Sequence, residues 1–510
     1  MLAAGRDFVP LSLLRLQREV AQEASYADPD QEMLARSIVE GKRKLDLVTM
    51  NELSGVSEAN RCAAPAVALG DGEYFIRRDQ PLALPNVLSH RGLDDVHLWI
   101  GVEEGTAIVL NHAEHAIFSD LRNGVSPAEL VTLLDPASSG DQRWETVNQL
   151  IGRLAIAGFI RGVEGYTDRW EPAPSRFMRL HLTQRCNLTC IHCYSDSSPY
   201  VPSDGELPVE RWLKVIDDFA DAGGERVLFT GGEALVYPGC PDLLRRSRER
   251  GLDVTLFSNG IMIERYLDVI RECVDHVQIS IDGPDAGTND PIRGKDSFQR
   301  ACKAVDLLLN SGVHVRISMV LMERNIQALQ SGFLTFARQW EGKPIEWRLG
   351  YGVTSHGRGK DIQDQLTVQE ARPIVEGLME ELEGRFPRIA RSTKTCGYAE
   401  QVVIAPDGGV HPCHLLDGAI THIDKQSMPE LMGILKQNSL AYNVDHTVGC
   451  NRCDIRNLCG GSCRVNNGKY TGNRRVTNCT ATEKLSRLHN LVQTFSESPV
   501  PDRGLQMDWE

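Results

Sequence analysis

The sequence predicts an α/β fold built on a parallel sheet, either open or curled into a partial barrel. Two observations carry this. Residues 176–350 alternate strand-like runs with amphipathic helical stretches, and the polar motifs of that region fall at the ends of the runs. Functional residues of parallel α/β folds gather at the C-terminal strand ends. A third observation marks what lies beyond the sheet. Of 14 cysteines, three crowd into Cys186, Cys190 and Cys193, and five into Cys450, Cys453, Cys459, Cys463 and Cys479.

Residues 1–94 read as an N-terminal extension with a helical start and a looser stretch around Ala63 to Asn86. Residues 95–170 read as a separate winged-helix-like domain. Short strands at His97–Val102 and Thr106–Leu110 flank a Glu-Gly turn, and Ser126-Pro127-Ala128-Glu129 is a capping box with proline at the first helical position. A second helix is expected at Arg143–Ala157, with Val147, Leu150, Ile151 and Leu154 on one face and Gly158 as its stop. Glu171–Ser175, with two prolines, is the linker.

Six strands are then expected, at Phe177–Thr183, Arg226–Thr230, Asp253–Ser258, His276–Asp282, His314–Val320 and Ile345–Leu349. Helices such as Val209–Ala222 and Phe298–Leu309 lie between them. Residues 351–490 lose the regularity and hold seven cysteines, so bound metal is expected to organise them. Residues 491–510 are a tail.

A chain of 510 residues implies several domains. The formal net charge of −14 gives no general attraction to phosphate. Between Gly101 and Glu164, Arg122, Arg143, Arg153 and Arg161 stand against nine Asp or Glu, which argues against DNA binding by the small domain. No run of about 18 apolar residues is present, and the N-terminus lacks a signal peptide's apolar segment. The expectations are therefore a cytoplasmic protein, with neither nucleic acid nor membrane as a partner. Clustered cysteines in a reducing compartment read as metal ligands.

Cys186-x3-Cys190-x2-Cys193 presents three thiolates without a fourth, suited to a four-iron cluster with one open iron; zinc sites usually close with four ligands. Thr230-Gly231-Gly232-Glu233 ends the second strand. Its glycines would let a ligand approach the backbone, and Glu233 would accept bonds from an ammonium group. Ser258-Asn259-Gly260 ends the third strand. Ser280-Ile281-Asp282-Gly283 ends the fourth and precedes Arg293. Cys396, Cys413 and the five later cysteines suggest two further metal sites, zinc or iron–sulfur.

Together the cysteine triad and Gly-Gly-Glu resemble the radical S-adenosylmethionine (SAM) superfamily, whose fold is a partial (β/α)6 TIM-like barrel. The resemblance implies that the open iron binds SAM and that reductive cleavage yields a radical that abstracts a substrate hydrogen. His192 would sit in the aromatic position before the third cysteine. Gly231, Gly232 and Glu233 would bind the SAM amino group, and Ser258, Asn259, Ser280, Asp282 and Arg293 its ribose and carboxylate. The later cysteines resemble the SPASM extension with two auxiliary [4Fe-4S] clusters. Cys450, Cys453, Cys459 and Cys479 would hold the outer one, and Cys396, Cys413 and Cys463 the inner one. The small domain resembles the PqqD-like leader-recognition domain of pyrroloquinoline quinone synthesis, which binds a leader peptide as an added strand.

The resemblance implies a peptide-modifying maturase that forms an intrapeptide cross-link, a thioether by preference, in a ribosomally made peptide or small protein subunit bearing a leader. The type that matures the small subunit of quinohemoprotein amine dehydrogenase is similar. An electron donor such as flavodoxin or ferredoxin is implied. His414, directly after Cys413, stands where single-residue oxidising maturases place a catalytic Asp and would take the proton of a substrate thiol. The alternatives are a sulfatase-type maturase that oxidises one residue, and a non-enzymatic iron–sulfur electron-transfer or regulatory protein.

Overall fold

A computed structural model describes residues 67–70, 73–93, 95–162, 175–350, 352–353, 356–362, 366, 368–383, 394–496 and 506–507. The expected helical start, Cys62 and most of the 171–175 linker lie outside them. The chain divides into two compact units. One joins Met1–Glu171 to Arg388–Cys396 and Tyr442–Glu510; the other comprises Pro172–Pro387 and Gly397–Ala441. Among the described residues no helix is long and apolar enough to cross a membrane.

In the first unit, β1 (Val67–Gly70) and β2 (Glu73–Ile76) form a hairpin. An antiparallel sheet follows, of β3 (Leu88–Leu93), β4 (Val96–Gly101) and β5 (Thr106–Leu110). The sequence reading missed β3, because Ser89-His90-Arg91-Gly92 breaks its apolar alternation. Three helices follow: α1 (His112–Arg122), also missed, α2 (Pro127–Leu133) and α3 (Gly140–Ile156). Each starts at a reciprocal capping box: Asn111 with Glu114, Ser126 with Glu129, and Ser139 with Gln142.

Alternation on the strands gives this sheet two apolar faces. Trp99, Ile108 and Leu110 pack with Phe118, Leu130, Leu150 and Leu154 of the helices. Leu98, Ile100, Val102 and Val109 pack instead on Ile455, Leu458, Leu488 and Leu491. The small domain therefore does not stand alone; its second face shares a core with the C-terminal segment. Polar contacts reinforce the joint. Asp454 accepts from Ser89 Oγ (2.9 Å) and Arg91 Nε (3.0 Å) and pairs with Lys484 Nζ (2.7 Å).

In the second unit all six expected strands form. They are β6 (Phe177–His181), β7 (Arg226–Thr230), β8 (Asp253–Ser258), β9 (His276–Ser280), β10 (His314–Val320) and β11 (Ile345–Gly350). Every adjacent pair is parallel, in the order 11-10-9-8-7-6. One set of alternate residues, including Met178, Leu180, Val227, Phe229, Val254, Leu256, Val277 and Ile279, is buried apolar core. The other set, including Arg179, Thr255, Gln278, Arg316 and Arg348, faces a cavity. The sheet then extends past β6. β12 (Val402–Ile404) pairs with β6 in parallel, and β13 (Gly409–His411) and β14 (Thr421–His422) add antiparallel. Strands of two or three residues carry no readable period, so these three were not foreseen.

Candidate active site

The cavity of the second unit measures about 690 Å³, and its walls collect most of the residues singled out from sequence. Cys186, Cys190, His192, Cys193, Gly231, Gly232, Glu233, Ser258, Asn259, Ser280, Arg293 and His414 all line it. Asp282 does not. Its side chain is fully buried behind the wall, paired with Arg293 Nε at 2.7 Å and His192 Nε2 at 3.2 Å. Burial alone would raise this carboxyl, but Arg293 and His192 hold it well below the usual carboxylate range. Asp282 thus acts on the cavity through the two side chains it holds.

The glycine pair also has a local packing task that the sequence does not show. Gly231 has φ +143°, a region that favours glycine. A Cβ there would lie 2.4 Å from the Thr183 carbonyl oxygen, and a Cβ on Gly232 would lie 2.3 Å from that of Arg185. Gly232 N–H donates to Thr183 O (2.7 Å) and Glu233 N–H to Arg185 O (3.0 Å). The glycines therefore let the end of β7 dock on the loop that carries the cysteines.

Glu233 is buried, and its carboxylate accepts from the backbone N–H of Asn259 (2.8 Å) and Leu235 (3.3 Å). Burial pushes the carboxyl up to about 7 despite these bonds. Asn259 in turn donates to Asn187 Oδ1 (2.7 Å) and approaches Cys186 Sγ at 3.7 Å. Thus the ends of β7 and β8 and the cysteine loop are tied by one network.

Burial pushes the Cys186 thiol up to about 12, with Glu233, Cys190 and Cys193 adding to the rise, and burial also raises Cys190. Three thiols face one cavity, Cys186 buried and Cys190 and Cys193 half-buried, and a cationic metal centre would compensate their charge as thiolates. This donor set fits an iron–sulfur cluster. Zinc fits less well: thiolates bound at ~2.3 Å to one tetrahedral ion would bring their sulfurs to ~3.8 Å of one another. Among the described residues no three cysteine sulfurs lie within 4.8 Å of one another.

Sequence reasoning missed four residues. Arg358 clamps the cysteine loop, donating to the carbonyls of Cys190 (3.0 Å) and Ser197 (2.6 Å) while pairing with Asp196 (2.8 Å). Arg179 and Arg348 line the cavity, both lowered by burial in the first place. Tyr194 stacks edge-on to His414, ring centroids 6.0 Å apart, its phenol pushed up by burial to about 12. Tyr194 directly follows the cysteine motif and the three arginines lie outside any motif; they meet only through the fold. Burial, then Arg179, Arg348 and His356, lower His414 to about 4. It is neutral at pH 7 but a weak base. Taking a proton from an ordinary thiol would be about 6 kcal/mol uphill.

The C-terminal cysteines gather in the first unit. Cys450 and Cys479 are raised first by burial and also by Cys459, and all three raise Arg487; Cys453 neighbours Cys450. Cys463 is raised, first by its contact with Cys396 and then by burial. Cys413 belongs to the other unit.

The radical SAM superfamily profile matches residues 180–330, the strand-and-motif segment of the barrel. The sporulation killing factor maturation protein SkfB of Bacillus subtilis (strain 168) is 30% identical over 286 residues, 53% of this chain and 67% of its own. The antilisterial bacteriocin subtilosin biosynthesis protein AlbA of the same organism is 28% identical over 333 residues, 61% of this chain and 72% of its own. A PqqA peptide cyclase of Granulibacter bethesdensis is 25% identical over 352 residues, 65% of this chain and 92% of its own. Barrel, cysteine triad and relatives agree: the chain belongs to the radical SAM superfamily and is an enzyme using SAM and a [4Fe-4S] cluster.

Proposed function

We propose that this enzyme is a peptide maturase that closes a cross-link, by preference a thioether, within a ribosomally made peptide or small protein subunit. The observation that carries this is the group of relatives, named for peptide cyclisation, bacteriocin biosynthesis and killing-factor maturation. When bound, SAM and the cluster supply a carbon-centred radical that abstracts hydrogen from the substrate.

The chain's own residues bind and orient. Cys186, Cys190 and Cys193 hold the cluster, and Glu233 accepts the SAM ammonium group. Arg293 presents its remaining N–H groups to the SAM carboxylate, with Ser258, Asn259 and Ser280 beside it. Asp282 positions Arg293 and His192. Cys450, Cys453, Cys459 and Cys479 would hold one auxiliary cluster and Cys396, Cys413 and Cys463 another, which when bound would supply electron-accepting capacity or affinity for a substrate thiolate. His414 faces the substrate; serving as a base requires that a bound anion raise it.

The leader would add as a strand on β3, which among the described residues pairs only with β4, whereas β5 carries the C-terminal helix Ala481–Ser496. The setting would be cytoplasmic, with flavodoxin or ferredoxin as reductant. The test uses reduced enzyme, SAM and a leader-bearing, cysteine-containing peptide. The expected product has lost two hydrogens and its free thiol while keeping its sulfur. A product that exchanges that sulfur for oxygen would indicate the sulfatase-type reaction instead.

A further inference from the structure

A group of histidines lies in the first unit, outside the cavity described above. His90 on β3 and His97 on β4 lie diagonally on one sheet face, since Trp99 is the direct partner of His90 and Gly92 that of His97. Nε2 of His90 is 2.9 Å from Nδ1 of His97, and Nε2 of His97 is 2.7 Å from Nδ1 of His112, at the start of α1. His115, one helical turn later, stacks on His97 with ring centroids 3.8 Å apart and on His90 at 4.7 Å. Donor nitrogens of His90, His97 and His115 all lie within 4.8 Å of one another, and all three rings are half-buried.

We propose that His90, His97 and His115 form a binding site for a divalent transition-metal ion of the zinc class, with a fourth position open to water. Imidazole nitrogen suits zinc, copper and nickel, and three histidines with an open position is an established zinc arrangement. Bonds of ~2.0–2.1 Å in a tetrahedron put donor nitrogens ~3.4 Å apart. The His90–His97 separation must therefore open by only a few tenths of an ångström, with the ion replacing the proton those nitrogens now share. The tautomers allow it. His97 keeps its proton on Nε2 and donates it to His112, leaving Nδ1 free as the ligand, so His112 orients His97 as outer-shell partners of metal-bound histidines do. His115 is the guarded ligand, because the Trp99 indole N–H donates to its Nδ1 at 3.0 Å. Coordination through that nitrogen displaces the indole, which makes Trp99 a reporter.

The test titrates untagged, cluster-loaded holoenzyme, first treated with a mild chelator, with zinc ion alone. The expected result is one tight equivalent, X-ray absorption with nitrogen or oxygen neighbours at ~2.0–2.1 Å and no sulfur shell at ~2.3 Å, and a tryptophan fluorescence change of the same stoichiometry. His97→Asn and His115→Gln should each abolish that equivalent while SAM cleavage persists. His112→Asn, the milder change, should weaken it by roughly ten- to a hundredfold. Trp99→Phe should tighten it and remove the fluorescence change. Zinc uptake identical in wild type and the histidine variants, a sulfur shell around the bound zinc, or no tight equivalent at all would each overturn the proposal.

Discussion

Replacing Asp282 by Asn keeps its shape and removes its charge. The carboxylate has no exposure to solvent and is paired with Arg293, itself buried, and with His192, while accepting the Val320 N–H at 2.8 Å. Without it the Arg293 guanidinium stays buried and unpaired, a loss of about 3–5 kcal/mol. For a unit of this size, at about 2–4 °C per kcal/mol, thermal unfolding followed by circular dichroism should shift down by roughly 6–20 °C. The carboxyl is held below its ordinary range, so its contribution is present above the unfolded pKa of about 3.9 and is lost as pH falls. The deficit of Asp282→Asn should therefore be constant from pH 6 to pH 8. Arg293→Met added to Asp282→Asn removes the orphaned charge and should restore most of the stability, because replacing both partners of a buried pair is often close to neutral. The reasoning fails if Asp282→Asn unfolds within about 1 kcal/mol of wild type, or if the double variant falls by the sum of the singles.

Glu233→Gln should weaken SAM binding by roughly ten- to a hundredfold, the equivalent of ~1.5–3 kcal/mol for a charge-assisted bond. The free carboxyl titrates at about 7 and a bound ammonium lowers it, so wild-type affinity should fall as pH drops from 8 to 6, whereas the variant should be flat by calorimetry. Replacing Cys186, Cys190 and Cys193 together by Ala should remove about four of about twelve irons and all SAM cleavage, as read by iron analysis and deoxyadenosine release. A chain beginning at Arg176 should aggregate, because it uncovers Ile455, Leu458, Leu488 and Leu491. A soluble monomer with both C-terminal cysteine sets loaded would contradict the shared core.

The barrel was legible because each of its strands spans five to seven residues with one apolar face, and because glycine and cysteine motifs punctuate the strand ends. The cysteine triad and Glu233 were legible for the same reason: their chemistry is concentrated within a few consecutive residues. Arg358, Arg179, Arg348 and Tyr194 were not, since each acts through the backbone or side chain of a residue remote in sequence. The packing task of Gly231 and Gly232 was not legible. A sequence shows that a side chain is absent, and only the fold shows that Thr183 and Arg185 fill the space. The second apolar face of the small sheet was hidden because its partners lie more than 300 residues further along the chain.

That distance bears on how the chain is made. β3, β4 and β5 leave the ribosome early, yet one of their two apolar faces waits for Ile455 and Leu488, which follow the entire barrel. Loop closure over such a length adds little free energy, since each doubling costs only about 0.6 kcal/mol, but contacts this remote form late. Throughout translation of the barrel, Leu98, Ile100 and Val109 would be uncovered on a nascent chain, a demand that falls on chaperones. A nonsense mutation that removes only the last few dozen residues would thus strand β3, β4 and β5 without the partners of that face.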